Sequence, residues 1–194
     1  MAFANSGTAV APGGSGTFGK FRQTREVKMD NPRSTARIGG HPIHPMLVPF
    51  PIAFFVAALV SDAAYLYDGR VFWFEASIWL IAAGLVMGVL AALAGITDYL
   101  GDSRIRSLSE SNWHAAGNAI ALLIEAFNLY IRYYFQSVDV FPEALYLSLV
   151  ASVILVFTGW LGGEMVYRRR VAVIDEQAAL EEARVRPIDQ NRRA

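Results

Sequence analysis

The chain has 194 residues, of which 54% are hydrophobic, and its 17 basic residues balance its 17 acidic residues. Because it contains no cysteine, disulfides, thiolate metal sites, cysteine-ligated iron–sulfur clusters and covalently attached c-type haem are excluded. The charges concentrate in the two end segments, 1–37 and 168–194. The middle of the chain is therefore too apolar for a soluble domain, and we expect one membrane domain between two polar segments.

The first segment, residues 1–37, is predicted to be a disordered cytoplasmic leader. It is rich in Gly, Ser, Ala and Thr, a composition that buries too little apolar surface to fold alone. It also lacks the basic start followed by an apolar run that is typical of a signal peptide.

Four long stretches are almost free of charge. Residues 38–61, 76–97 and 144–163 contain no Asp, Glu, Lys or Arg, and residues 111–131 contain only Glu125. About 20 apolar residues in a helix match a hydrocarbon core about 30 Å thick. We therefore predict an all-α membrane protein, a four-transmembrane-helix antiparallel bundle over residues 38–174, with spans at about 45–66, 73–99, 112–134 and 143–167.

Prolines crowd the start of the first predicted span, in the sequence HPIHPMLVPFPI. Each proline removes a backbone donor and disfavours helix at the residue before it. We therefore expect an extended or turn-like segment from His41 to Pro45. In the second span, Gly84 and Gly88 have the GxxxG spacing, which predicts a close contact between helices.

The basic residues predict the orientation of the spans. Arginines and lysines precede the first span, Arg104 and Arg106 lie between spans two and three, and Arg168–Arg170 follow span four. By the positive-inside rule, both termini and the 100–111 loop of this multi-pass chain are cytoplasmic. Residues 175–194 are then a cytoplasmic tail, in which VIDEQAALEEARV has the pattern of a short amphipathic helix at the membrane surface.

This topology places the histidines and two carboxylates at one level of the membrane. His41 and His44 precede helix one, and His114 begins helix three. Asp98 ends helix two, and Glu164 ends helix four. All five side chains are therefore expected near the cytoplasmic ends of the helices.

The third span carries a second polar pattern. Asn118, Glu125 and Asn128 follow His114 at helical spacing and form a predicted intramembrane polar stripe. Farther along, Arg132 lies as far beyond His114 as Asp62 lies beyond His44. Both spacings correspond to about five helical turns, or about 27 Å of helix. We therefore predict a structural ion pair between Asp62 and Arg132 at the outer end.

Two cofactor hypotheses follow from the histidines. His44 and His114, on different helices at equal depth, can supply both axial ligands of a b-type haem. Alternatively, His41, His44 and His114 can bind a divalent metal ion together with Asp98 or Glu164, because imidazole and carboxylate ligands suit Zn, Mn or Fe(II).

Other interpretations remain open without a cofactor. The histidines can hydrogen-bond backbone carbonyls or pair with the carboxylates, in a structural or assembly protein. The polar stripe can instead conduct protons or small solutes, which for so small a unit implies a homo-oligomer. GxSxG, P-loop and HExxH patterns are absent, so no enzyme template is favoured and no catalytic residue is assigned.

Four motifs are similar to a known family: GHPIHPMLVPFPIAFFVAALVSD (40–62), AGITDYL (94–100), WHAAGNAIALLIEAFNLYIR (113–132) and GWLGGEMVYRRRVAV (159–173). Over roughly residues 38–174 the chain resembles the bacterial domain-of-unknown-function family 2231 (DUF2231). The matching positions are His41, Pro42, His44, Pro45, Pro51, Asp62, Asp98, His114, Gly162, Gly163, Glu164, Val166 and Tyr167.

The resemblance implies a four-span inner-membrane architecture and no established activity. Some relatives resemble fusions to Rieske or other redox modules, which implies a redox-associated role and a redox partner. The family usually continues past its tyrosine with a His-Gly-containing stretch, where this chain has Arg168, Arg169 and Arg170. The expected partners are the lipid bilayer and a redox protein or a second copy. Nucleic acid is not expected, since topology and anionic lipid account for the basic segments.

Overall fold

A computed structural model of the chain describes residues 31–135 and 141–173. The predicted leader up to residue 30 and the predicted tail, with its amphipathic helix, lie outside the described residues. Within the described residues, two short strands and six helices follow one another in the order β1 (Arg37–Ile38), β2 (His41–Pro42), α1 (Ile43–Leu47), α2 (Pro49–Asp68), α3 (Val71–Gly101), α4 (Ser103–Arg106), α5 (Ser109–Phe135) and α6 (Phe141–Tyr167).

The proline-rich start is helical earlier than its sequence suggests. Only His41 and Pro42 are extended, in the antiparallel β1–β2 pair, and α1 begins at Ile43. The prediction of an extended or turn-like segment as far as Pro45 is therefore wrong in its second half. A proline in the first turn of a helix loses no hydrogen bond, because that N–H has no partner within the helix.

The long helices pack closely where glycines replace larger side chains. Helix α2 packs along α3 and α5 along α6, with further contacts between α2 and α6 and between α3 and α5. A Cβ added at Gly84 would lie 2.6 Å from the Phe55 ring, and one at Gly88 would lie 2.5 Å from Leu122 Cδ2. The GxxxG pair of α3 thus lies against side chains of both α2 and α5.

The described residues include three helical stretches that are long and apolar enough to cross a membrane, Ile43–Asp68, Val71–Gly101 and Phe141–Tyr167. Helix α5 is as long as α6, at 27 residues, but its polar side chains lower its hydropathy. Length and hydropathy therefore do not identify α5 as a fourth span.

The exposure of the side chains is the reverse of that in a soluble protein. Trp79, Leu123 and Val156 are 76%, 71% and 74% exposed, whereas Asp62 and Glu125 are fully buried. Large exposed apolar areas on soluble proteins are rare, and lipid is the solvent that accommodates them.

Residues 31–36 are held against the ends of α3 and α6. The Asp98 carboxylate accepts hydrogen bonds from the backbone N–H groups of Thr35 and Ala36, both at 2.7 Å, and from the Ser34 hydroxyl at 2.9 Å. The backbone N–H of Ala172 donates to Pro32 O at 2.9 Å. The last part of the predicted leader therefore makes specific contacts with the membrane domain.

Asp102 provides a second acceptor for this segment. Its carboxylate accepts from the Arg33 N–H at 3.0 Å and pairs with the Arg104 guanidinium at 2.7 Å. Hydrogen bonds from the side chain and backbone of Arg104, followed by the one from Arg33, lower the pKa of Asp102 to about 2. This carboxylate is therefore ionised throughout the physiological pH range.

Candidate functional site

Two of the three histidines come together at one end of the helices. His44 belongs to α1 and His114 to α5. Their ring centroids are 6.1 Å apart and their ring planes are inclined at 85°. Both side chains are half-buried.

Each ring is anchored by the same kind of hydrogen bond. His44 Nδ1 donates to Ala91 O on α3, and His114 Nδ1 donates to Thr158 O on α6, both at 2.8 Å. A carbonyl can only accept, so Nδ1 carries the proton in both rings. The neutral tautomer then leaves the lone pair on Nε2. That is the nitrogen a metal centre would use.

A glycine lies against each ring. A Cβ added at Gly95 would lie 2.9 Å from the Cε1 and Nδ1 atoms of His44. A Cβ at Gly162 would lie 3.3 Å from Cε1 of His114. Each glycine lies one helical turn after the accepting carbonyl, and so leaves room for the ring.

The two histidine arrangements are repeated along the chain. The sequence distance from His44 to His114 equals that from Asp62 to Arg132. The distance from Ala91 to Thr158 likewise equals that from Gly95 to Gly162. The same contact of a histidine ring with a backbone carbonyl and a glycine is thus made twice, once on the hairpin that α1 and α2 form with α3 and once on the hairpin of α5 and α6. Asp62 and Arg132 were predicted to lie equally far beyond their histidines, but the repeat itself was not predicted.

The other three predicted metal ligands do not lie with the histidine pair. His41 is exposed on β2, and Asp98 binds the N-terminal segment. Glu164 pairs with Arg168 of the next turn at 3.1 Å. Within residues 31–135 and 141–173, no group of three or more His, Asp or Glu side chains is placed to hold a metal ion.

Asp62 and Arg132, the residues predicted to pair, are in contact in the structure. Arg132 donates to both carboxylate oxygens, from Nη1 to Oδ1 at 2.8 Å and from Nη2 to Oδ2 at 2.7 Å, and both side chains are fully buried. Ser77 of α3 and Ser148 of α6 accept further hydrogen bonds from the guanidinium, at 2.6 and 3.2 Å. These serines were not predicted as partners of Arg132, although hydroxyls within charge-free helices are a visible signal.

The polar stripe of α5 continues this network by one turn. Asn128 Oδ1 accepts from Arg132 Nε at 2.9 Å, and its Nδ2 donates to Glu125 Oε2 at 3.0 Å and to Ser148 Oγ at 2.9 Å. Glu125 Oε1 and Ser152 Oγ are buried without a hydrogen-bond partner. One end of the network thus has unused hydrogen-bonding capacity.

Asn118 belongs to the histidine end instead. Its Nδ2 donates to His114 O at 2.7 Å, and its Oδ1 accepts from the Thr158 hydroxyl at 3.4 Å. Between Asn118 and Glu125 lies the apolar core, which includes Ala121 and Leu155. The predicted stripe is therefore divided into two polar groups by an apolar layer.

Aromatic rings cover the opposite end of the network. Tyr65, Phe74 and Phe141 form a cluster with ring centroids between 4.7 and 6.5 Å apart. The Arg132 guanidinium lies 5.9 Å from the centre of the Phe74 ring, a favourable cation–π distance. Aromatic side chains thus close the network at its outer end.

Large apolar side chains are exposed on the outside of the long helices, and charged and hydroxyl side chains are buried between them. This arrangement is that of a membrane protein with several apolar helices. The chain belongs to the DUF2231 family of predicted membrane proteins, which it matches over residues 40–175. No curated protein and no solved structure matches the chain.

Proposed function

We propose that the chain crosses the bacterial inner membrane four times, with both termini and the 100–111 loop cytoplasmic. The support for α5 as a span is the direction of its polar face. Glu125, Asn128 and Arg132 are buried, while Leu123 and Phe127 are exposed. A helix whose polar residues face protein meets lipid with its apolar side only, so its average hydropathy underestimates its suitability.

At the cytoplasmic end of this bundle, His44 and His114 bind the iron of a b-type haem. The observation that carries this proposal is the 6.1 Å separation of two rings whose Nδ1 atoms are both tied to backbone carbonyls. Two imidazoles this close together on different helices are the residues that would hold the iron of a haem, through their Nε2 atoms. A backbone carbonyl on the second nitrogen is the usual support of an imidazole ligand.

The divalent-metal alternative has less support, because Asp98 and Glu164 already have partners. A haem needs only the two imidazoles. Its iron would make the protein a one-electron carrier, and the electron partner would approach from the cytoplasmic side, where the histidines lie. The protein then acts as a redox subunit of the membrane rather than as an enzyme with its own substrate.

A cofactor-free structural or assembly role is the second candidate. It is favoured by the same hydrogen bonds, since His44 joins α1 to α3 and His114 joins α5 to α6. In that case the imidazoles are anchors between helices, and the protein is colourless.

Absorption spectroscopy of the detergent-purified protein, before and after incubation with haemin, separates the two candidates. We expect a Soret band in the wild type that is lost in His44→Ala and His114→Ala. The exposed His41 serves as the matched control, so His41→Ala keeps the band. His44→Met, which retains a possible ligand, should shift the spectrum rather than abolish it. A wild-type protein that stays colourless with haemin would contradict the haem proposal.

A further inference from the structure

A buried carboxylic acid remains outside the histidine site. Glu125 is fully buried, at 0% exposure, and its Oε1 atom has no hydrogen-bond partner. We propose that Glu125 is a proton-binding site within the membrane domain, which holds its proton as long as Asp62 occupies the Arg132 guanidinium. This proposal does not depend on a haem.

The first support is the charge balance of the network. Helix α2 contributes Asp62, and α5 contributes Arg132 together with Glu125 itself. Within their described residues, α3 and α6 contribute only hydroxyls, those of Ser77 and Ser148. Among the described residues, two buried carboxyl groups therefore share a single buried cation. An ionised Glu125 would leave one uncompensated negative charge in a low-dielectric interior, which is strongly unfavourable.

The second support is that the guanidinium has no donor left for Glu125. Nη1 donates to Asp62 and Ser77, and Nη2 donates to Asp62 and Ser148. Nε donates to Asn128. These five contacts match the five N–H groups of arginine.

The third support is the orientation of the Asn128 amide. Its oxygen faces Arg132, so its Nδ2 donates toward Glu125 Oε2. In a neutral acid Oε2 is then the carbonyl oxygen, and the proton resides on Oε1, the atom without a partner. A protonated oxygen can donate where an ionised one can only accept.

Ser152 of α6 lies at the level of Glu125. The hydrogen bonds from Thr158 to Asn118 and from Asn128 to Ser148 define the register of α5 against α6. In that register position 125 faces position 151, next to Ser152, whose buried hydroxyl also has no partner. The two side chains are not hydrogen-bonded to each other, and the ligand of the site is one proton, held on Glu125 Oε1.

Loss of this proton creates a competitor for the guanidinium, because Glu125 and Asp62 are then both anionic. Deprotonation would draw the Arg132 guanidinium away from Asp62 of α2 and toward Glu125, which lies on the same helix as Arg132. The protonation state of Glu125 is therefore linked to the ion pair that joins α2 to α5.

Infrared difference spectroscopy tests the proposal directly. We expect wild-type protein in lipid at pH 6, where exposed carboxyl groups are ionised, to show the C=O stretching band of a protonated carboxylic acid, which Glu125→Gln removes. Glu143 is exposed at the start of α6, so Glu143→Gln is the matched control and should remove no such band. Should Glu125→Gln fail to fold, the wild type with ¹³C-labelled glutamate carboxyls decides, since the label shifts the band of a protonated glutamic acid.

The role of Asp62 has its own test. In Asp62→Asn the guanidinium loses its carboxylate, so Glu125 should ionise and the band should vanish at the same pH. A wild-type protein without a Glu125-dependent band overturns the proton site. A band that persists in Asp62→Asn overturns the dependence on the ion pair.

Discussion

At the scale of single residues, the buried ion pair shows what counting along helices can and cannot find. Equal spacings from two histidines placed Asp62 and Arg132 at one depth, because helical rise converts sequence distance into height. The same counting could not identify Ser77 and Ser148 as partners of the guanidinium. Their involvement depends on how each helix is rotated about its axis, and helices almost free of charge carry little information on rotation.

Exchange of the two charges should distinguish the ion pair from its surroundings. Asp62→Arg or Arg132→Asp alone leaves two like charges buried together, and breaking a buried pair costs about 3–5 kcal/mol. The double exchange restores opposite charges, so we expect it to recover part of the lost thermal stability. The melting temperature in detergent measures this. Asp68 and Arg70 form an exposed pair, and Arg70→Ala should change the melting temperature little. A double exchange no more stable than the weaker single variant would contradict the ion-pair interpretation.

At the scale of the helices, the GxxxG spacing of α3 predicted a close contact but not its partners. Gly84 meets Phe55 of α2, whereas Gly88 meets Leu122 of α5. One glycine face therefore touches two different helices. The repeat of the two hairpins was also accessible to the sequence, since its equal offsets can be counted along the chain. It was missed because the matched pairs, such as Asp62 with Arg132, differ in chemistry.

Alanine at Gly84 should destabilise the packing of α2 on α3. Its Cβ would lie 2.6 Å from the Phe55 ring, and overpacking of this kind typically costs about 1–3 kcal/mol. Helix propensity offsets only about 1 kcal/mol of that cost. Gly159 has no atom within 4 Å of an added Cβ, so Gly159→Ala should leave the melting temperature unchanged or slightly higher. Equal melting temperatures for both variants would contradict the close packing of α2 on α3 at Gly84.

At the scale of the whole molecule, long runs that are both apolar and free of charge located the long helices, because such runs are stable only where lipid or protein surrounds them. The docking of residues 31–36 on Asp98 was not predictable in this way. It depends on backbone N–H groups, which nearly every residue has and no side-chain pattern reveals. Asp98 was consequently interpreted as a metal ligand, although it binds the N-terminal segment.

The number of spans is the property on which the predicted levels of Arg132 and Glu164 depend. If α5 did not cross the bilayer, Arg132 would not reach the depth of Asp62, and Glu164 would not lie on the cytoplasmic side with the histidines. Because the chain has no cysteine, single cysteines introduced at its surface report orientation without background. Tyr67 and Tyr134 are 94% and 68% exposed at the predicted outer ends of α2 and α5, and Ser107 lies in the predicted cytoplasmic loop.

A membrane-impermeant maleimide applied to intact spheroplasts should therefore label Tyr67→Cys and Tyr134→Cys. It should label Ser107→Cys only after lysis, since the positive-inside rule places that loop in the cytoplasm. Opposite accessibility of positions 107 and 134 requires α5 to span the bilayer, whatever its mean hydropathy. Equal accessibility of these two positions would remove the fourth span, and with it the common depth at which Arg132 and Asp62 were predicted to pair.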